Sequence, residues 1–274
     1  MTTVQAVVMA ILQGVTELFP VSSLGNAVII PRLLGWQIDS KAPTYLPFLT
    51  MLHVGTATAL LVYFLQDWWA LIQSLLSRSP DSTTRENRTI VLLLILGTIP
   101  AGLVGLVLEK RLSAIFGQYQ IVAVFLILNG IMLFGGEWLR RRQRLGNLAE
   151  LKPAQAILIG LSQALALLPG FSRSGATMVG GLLVGLSHES AARFGFLLAT
   201  PLILAAAVLE VPKLFAPTLR PELAQAALGG VVAGFVAYGS TTLLMRYFKN
   251  NEVNALIPFG AYCCLLGVVG LVVG

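Results

Sequence analysis

Two charged residues stand out for the emptiness around them. Glu17 is the only charged side chain within residues 1 to 31, and Arg173 the only one within 153 to 187. Each sits beside a break of Pro, Gly and hydroxyl residues: Phe19-Pro20-Val21-Ser22-Ser23-Leu24-Gly25 in one case, Pro169-Gly170-Phe171-Ser172-Arg173-Ser174-Gly175 in the other, with Thr177 just beyond. An ionisable group in an apolar stretch is costly and needs a partner, so Glu17 and Arg173 are read as a pair. A guanidinium, several hydroxyls and exposed helix N-terminal amides together make a receptor for phosphate oxygens. A carboxylate at such a site acts as a general base on Ser or water, or holds a divalent cation. The chemistry indicated is recognition of a phosphorylated lipidic substrate, with hydrolysis as one use of it. The competing reading is a structural ion pair that clamps two segments together.

The elements that must position these residues follow from the composition. Of 274 residues, 11% are charged and 56% hydrophobic, with a mean hydropathy of +0.83; soluble domains carry roughly 25% charged residues. Too few polar side chains exist to cover a soluble globule, which excludes a water-soluble enzyme, and no basic solvated face exists for nucleic acid. The net charge of +6 suits loops facing anionic headgroups. Apolar runs near 45–65, 89–109, 119–139, 194–211, 223–245 and 253–273 predict six transmembrane helices. The broken stretches near 4–34 and 154–186 predict re-entrant helical hairpins, because irregular backbone at membrane depth needs protein or a water-filled cavity around it. The expected fold is therefore an all-α integral membrane protein forming one membrane domain over 1–274.

The order "broken segment, three spans" occurs twice, at about 1–139 and 153–274, joined by an Arg-rich linker at 140–152. Three crossings per half invert the second copy, an inverted-topology repeat whose site falls where the broken helices meet. Lys and Arg are more frequent in the loops around 78–88, 140–152, 193 and 246–249 than in those around 32–41, 110–111 and 213–220. That bias predicts a cytoplasmic linker and both termini outside.

Gly14-Val15-Thr16-Glu17-Leu18-Phe19-Pro20-Val21-Ser22-Ser23 and Leu168-Pro169-Gly170-Phe171-Ser172-Arg173-Ser174-Gly175-Ala176-Thr177 resemble the two signature motifs of the undecaprenyl-diphosphate phosphatase family of the bacitracin-resistance type. The resemblance covers essentially the whole chain. It implies a multi-pass protein of the bacterial inner membrane that converts undecaprenyl diphosphate to the monophosphate at the external face, recycling the cell-wall lipid carrier. Its partners would be the C55 polyprenyl diphosphate and membrane lipids, with a homodimer admitted and nucleic acid not. A divalent cation, Mg2+ or Ca2+, is implied as cofactor with Glu17 as its ligand. Carried over by position, Glu17 becomes the acid/base, Ser23 the nucleophile and Arg173 the diphosphate clamp; Gln13, Ser22, Asn26, Ser172, Ser174 and Thr177 become substrate-binding groups.

Two positions depart from the family pattern, which usually has Glu and His where this chain has Gln13 and Asn26. Neither amide can act as a proton-transfer base, leaving Glu17 as sole base with Ser23 or water as nucleophile. If the missing groups limit the reaction, Gln13→Glu and Asn26→His should raise activity. A non-hydrolytic transporter or flippase of undecaprenyl phosphate, and a small-anion transporter of the same fold, are the rival readings.

Other residues have plainer expectations. His53 would supply an imidazole if its helix lines the cavity, and otherwise packs within the helix bundle. His188, beside Glu189 at a helix end, is expected to be solvated. Asn129 and Gln163 are expected to hydrogen-bond between helices, and Gly97 to Ala101 and Gly230 to Gly234 to mark close helix packing. Trp68, Trp69 and Trp138 look like interfacial anchors. Adjacent Cys263 and Cys264 form no spaced metal or disulfide pattern.

Overall fold

The apolar runs are helical in the computed structural model, which describes residues 1–38, 42, 44–78, 81–115, 118–140, 148–210, 212 and 220–273. Eleven α-helices follow in order among them: α1 Thr3–Thr16, α2 Ser23–Leu33, α3 Tyr45–Tyr63, α4 Leu65–Leu76, α5 Ser82–Ile115, α6 Tyr119–Arg140, α7 Pro153–Ala164, α8 Arg173–Leu183, α9 His188–Glu210, α10 Arg220–Asn250 and α11 Ile257–Val273. No strand forms among the described residues, and most of the Arg-rich linker, including Arg141, Arg142 and Arg144, lies outside them.

Among the described residues four helices are long and apolar enough to cross a bilayer: α3, α5, α6 and α10. Their outward faces expose large apolar side chains such as Val62, Leu106, Val107, Phe235 and Leu243, which water would not tolerate and lipid does. The protein is a multi-pass membrane protein. The broken stretches divide where the sequence places Pro and Gly. Helices α1 and α2 have 14 and 11 residues, and α7 and α8 have 12 and 11; at 1.5 Å per residue none reaches the roughly 30 Å of a hydrocarbon core. One element is absent from the sequence reading: α4 starts a residue after α3 ends, at a bend on Phe64.

Small residues bring the long helices together. A Cβ on Gly55 of α3 would lie 1.9 Å from the Gly230 carbonyl oxygen of α10, and one on Gly160 of α7 would lie 2.2 Å from that of Gly97 in α5. Larger side chains at these contacts would force the axes apart. Helix α1 packs on α10 and α7 on α5, while α6 and α11 lie against each other and α3 meets α9. The first broken segment is thereby seated against the second half of the chain, and the second against the first.

Two expectations need correction. His188 is completely buried rather than solvated: its Nε2 lies 2.9 Å from Glu137 Oε2, and its ring stacks on Phe248. The start of α9 is packed beneath α6 and the α10–α11 connection, a burial that no local pattern around Glu189 reveals. Trp68 turns inward against the core, whereas Trp69 and Trp138 are exposed near helix ends. The two cysteines are free, with Cys263 buried.

Candidate functional site

Ser22 and Ser172 start the second halves of the broken segments in the same way. Each is an N-cap whose Oγ accepts the backbone N–H three residues on, from Gly25 and Gly175, at 3.1 Å in both cases. Such a cap satisfies one of the orphan amides of a helix N-terminus. The first helical residue after each cap is Ser23 in α2 and Arg173 in α8, and both reach the carboxylate of Glu17.

The turns that present them are built differently. Ser22 has a φ of 60°, an uncommon backbone state for a residue with a side chain. Asn26 holds that turn: its Nδ2 donates to the carbonyls of Val21 and Ser22 at 3.0 and 2.9 Å, and its Oδ1 accepts from the Tyr262 hydroxyl of α11. In the second turn Gly170, with φ of 114°, passes so close to α6 that a Cβ would lie 2.5 Å from the Val122 carbonyl oxygen. Only glycine allows both that conformation and that approach.

Asn129 of α6 joins the two turns. Its Nδ2 donates to the Pro20 carbonyl at 3.1 Å, and its Oδ1 accepts the Ser172 N–H at 2.9 Å. Ser174 adds a second link by donating to the Phe19 carbonyl at 3.0 Å. The side chain of one buried amide thus fixes the relative position of segments more than a hundred residues apart in sequence.

At the junction, Glu17 is the hub. Its Oε1 takes a hydrogen bond from Arg173 Nη2 at 2.5 Å; its Oε2 accepts from Ser23 Oγ at 2.6 Å and Gln13 Nε2 at 3.0 Å. His53 of α3 completes the cluster, with Nδ1 2.9 Å from Gln13 Nε2 and 3.4 Å from Glu17 Oε2. Four separate elements therefore supply partners to one carboxylate, all of them side chains. Arg173 Nη1 is buried and has no protein partner among the described residues. An unpaired guanidinium N–H is expensive in a buried setting, and it is oriented by the same arginine that grips Glu17.

The structure thus gathers Glu17, Ser23, Arg173 and Gln13 at one point. The other hydroxyls and amides predicted for the site stand around it with their polar atoms engaged. Ser22 and Ser172 cap helices, Ser174 donates to Phe19, Thr177 donates to the carbonyls of Arg173 and Ser174, and Asn26 is fully buried in its turn. The residue that sequence reasoning left undecided is His53, 36 positions from Glu17. A lone histidine in an apolar helix carries no pattern, and only the packing of α3 beside α1 brings it into the cluster. Of the two expected interhelical hydrogen-bonders, Asn129 is fully used, whereas both polar atoms of buried Gln163 lack partners among the described residues.

Known proteins resemble this chain along nearly its whole length. The family model described as bacitracin resistance protein BacA matches residues 6–269. The chain is 53% identical to the undecaprenyl-diphosphatase of Acidiphilium cryptum (strain JF-5), over 99% of this chain and 98% of the relative. It is 52% identical to undecaprenyl-diphosphatase 2 of Chromobacterium violaceum, over 99% and 98%, and 51% identical to the undecaprenyl-diphosphatase of Gluconacetobacter diazotrophicus, over 98% and 96%.

Proposed function

This chain belongs to the bacitracin resistance protein BacA family, and from that premise we propose that it is an undecaprenyl-diphosphatase that hydrolyses undecaprenyl diphosphate to undecaprenyl phosphate. The observation that carries the reading to particular atoms is the buried, unpartnered Nη1 of Arg173, beside a carboxylate already bonded to a serine hydroxyl. A terminal phosphate offers the oxygens that this nitrogen lacks, and the N-termini of α2 and α8 add favourable dipoles on the same side.

Ser23 is the nucleophile in this mechanism. Its Oγ attacks the terminal phosphorus while its proton passes to Glu17 Oε2, to which it is already hydrogen-bonded. The bond from that phosphorus to the bridging oxygen breaks, and its electron pair leaves on undecaprenyl phosphate. Glu17 passes that proton to the leaving phosphate oxygen and is a carboxylate again. It then takes a proton from a water that attacks the phosphoserine, and as the bond to Ser23 breaks it returns this proton to Oγ and inorganic phosphate is released. Arg173 holds the phosphoryl oxygens in both steps, and Gln13 holds Glu17 in place. Asn26 stands outside this chemistry, engaged with Val21, Ser22 and Tyr262.

A divalent cation fits the site only in a restricted form. Among the described residues no group of three or more His, Cys, Asp or Glu side chains could cage a metal. One carboxylate and a hydroxyl, Glu17 and Ser23, suit Mg2+ or Ca2+ when diphosphate oxygens complete the shell. Such an ion would neutralise charge on the diphosphate.

The architecture proposed around the site is six spans, formed by α3, α5, α6, α9, α10 and α11, with α1–α2 and α7–α8 as re-entrant hairpins in an inverted repeat. Supporting it, exchange of the two halves converts the α1–α10 contact into the α7–α5 contact, and the two caps at Ser22 and Ser172 are alike. With the basic linker on the cytoplasmic side, both termini and the mouth of the site face outward from the bacterial inner membrane. Phosphate release from a C15 or C55 prenyl diphosphate by the purified protein, with and without Mg2+, tests the reading. Release abolished by Glu17→Gln and by Arg173→Ala is expected; a well-folded wild type that releases no phosphate above background overturns it.

A further inference from the structure

Resting on the hydrolytic reading above, we propose that His53 is a catalytic residue of this site, whose Nε2–H donates to the phosphoryl oxygens during transfer. The proton arrangement follows from the network. A carboxylate only accepts, so the contact between Gln13 Nε2 and Glu17 Oε2 fixes Gln13 with its NH2 group toward Glu17. The same nitrogen lies 2.9 Å from His53 Nδ1. Its second hydrogen therefore goes to Nδ1, which must accept, and the neutral ring then carries its proton on Nε2. The tautomer is assigned from these partners.

That N–H belongs to the most exposed of the three ionisable side chains in the cluster. The His53 side chain is 36% exposed, against 6% for Glu17 and 13% for Arg173. Its Nε2 is neither hydrogen-bonded to a described residue nor sealed from solvent. The ring approaches Glu17 at Oε2, the oxygen that holds Ser23, whereas Arg173 grips Oε1. Two donors, Nη1 of Arg173 and Nε2 of His53, are thus left over on residues that touch the two oxygens of one carboxylate. A phosphoryl group attacked by Ser23 presents several acceptor oxygens, and charge builds on them in the transition state. The imidazole missing at Asn26 is supplied from another helix, and its proton stays on Nε2 throughout.

Two amide substitutions separate this role from a structural one. In His53→Gln the new amide nitrogen reaches the place of Nε2; in His53→Asn it reaches only that of Nδ1. His53 is partly exposed, so neither change threatens the fold, and thermal unfolding in detergent checks that. With the purified full-length protein and a C15 prenyl diphosphate, His53→Asn should lower kcat by about 100-fold with KM within a few-fold, the loss typical of one transition-state donor. His53→Gln should retain kcat within about 5-fold. Equal activities, or Asn outperforming Gln, overturn the proposal, because they mean that only the contact with Gln13 matters. An active wild type with indifferent His53 variants defeats this inference alone, whereas an inactive wild type defeats the hydrolytic reading with it.

Discussion

Among the described residues two buried carboxylate clusters stand out, one at Glu17 and one at Glu137, and they are made in opposite ways. Glu17 is held entirely by side chains, from Gln13, Ser23, Arg173 and, at slightly longer range, His53. Glu137 instead accepts the backbone N–H groups of Asn254 and Leu256, at 2.7 and 3.1 Å, with His188 as its only side-chain partner among the described hydrogen bonds. Nearby, Arg140 pairs with both the carbonyl and the carboxylate of Glu252. Backbone donors cannot move without moving a loop, so the second cluster latches the α10–α11 connection onto α6 and α9. Side-chain donors can turn toward a ligand when it arrives. The contrast distinguishes a clamp from a site more sharply than charge or burial, which the two clusters share.

Breaking each cluster should therefore give different losses. The largest effect is expected from Arg173→Ala, which should lower phosphate release by about 1,000-fold, measured as kcat/KM on a prenyl diphosphate. Glu137→Ala should leave kcat within about 3-fold, yet destabilise the protein by about 3 kcal/mol in detergent unfolding, as expected when a buried charged partner is removed. A Glu137 variant that loses activity without losing stability would erase the contrast. Asn129→Leu lies between the two: loss of its two hydrogen bonds to the turns, with the Ser174 link kept, should cost about 10-fold in activity and about 2 kcal/mol in stability.

The smallest and most diagnostic change is Asn26→His. The family pattern alone favours a gain, but Asn26 is fully buried, its amide spans two carbonyls, and Tyr262 closes the other side. A larger ring there strains the Ser22 turn that presents Ser23, and a loss of about 5-fold in turnover is expected, equivalent to about 1 kcal/mol, the low end of what overpacking commonly costs. A rise in turnover would return Asn26 to the reaction.

The pairing at the centre of the candidate site was legible in the sequence. A lone acid and a lone base, each beside Pro, Gly and Ser in an otherwise apolar run, had to find a partner, and they meet at 2.5 Å. The breaks at Pro20 and Pro169 were legible for the same local reason, since proline and glycine interrupt helices wherever they fall. His53, His188 and α4 were not. Their roles depend on which helix lies beside which, and an isolated histidine or a polar turn of helix has no periodic signature of its neighbours.

By itself, then, the sequence determined the solvent, the helical class, the interruptions and the two charges that cannot remain alone in lipid. Tertiary structure decided which hydroxyls are occupied. It turned Ser22, Ser172, Ser174, Thr177 and Asn26 toward the backbone, left Ser23 on Glu17, and brought in an imidazole from α3. The physical reason is that a hydroxyl's partner is chosen within about 3 Å, a distance set by helix packing and turn geometry rather than by position along the chain.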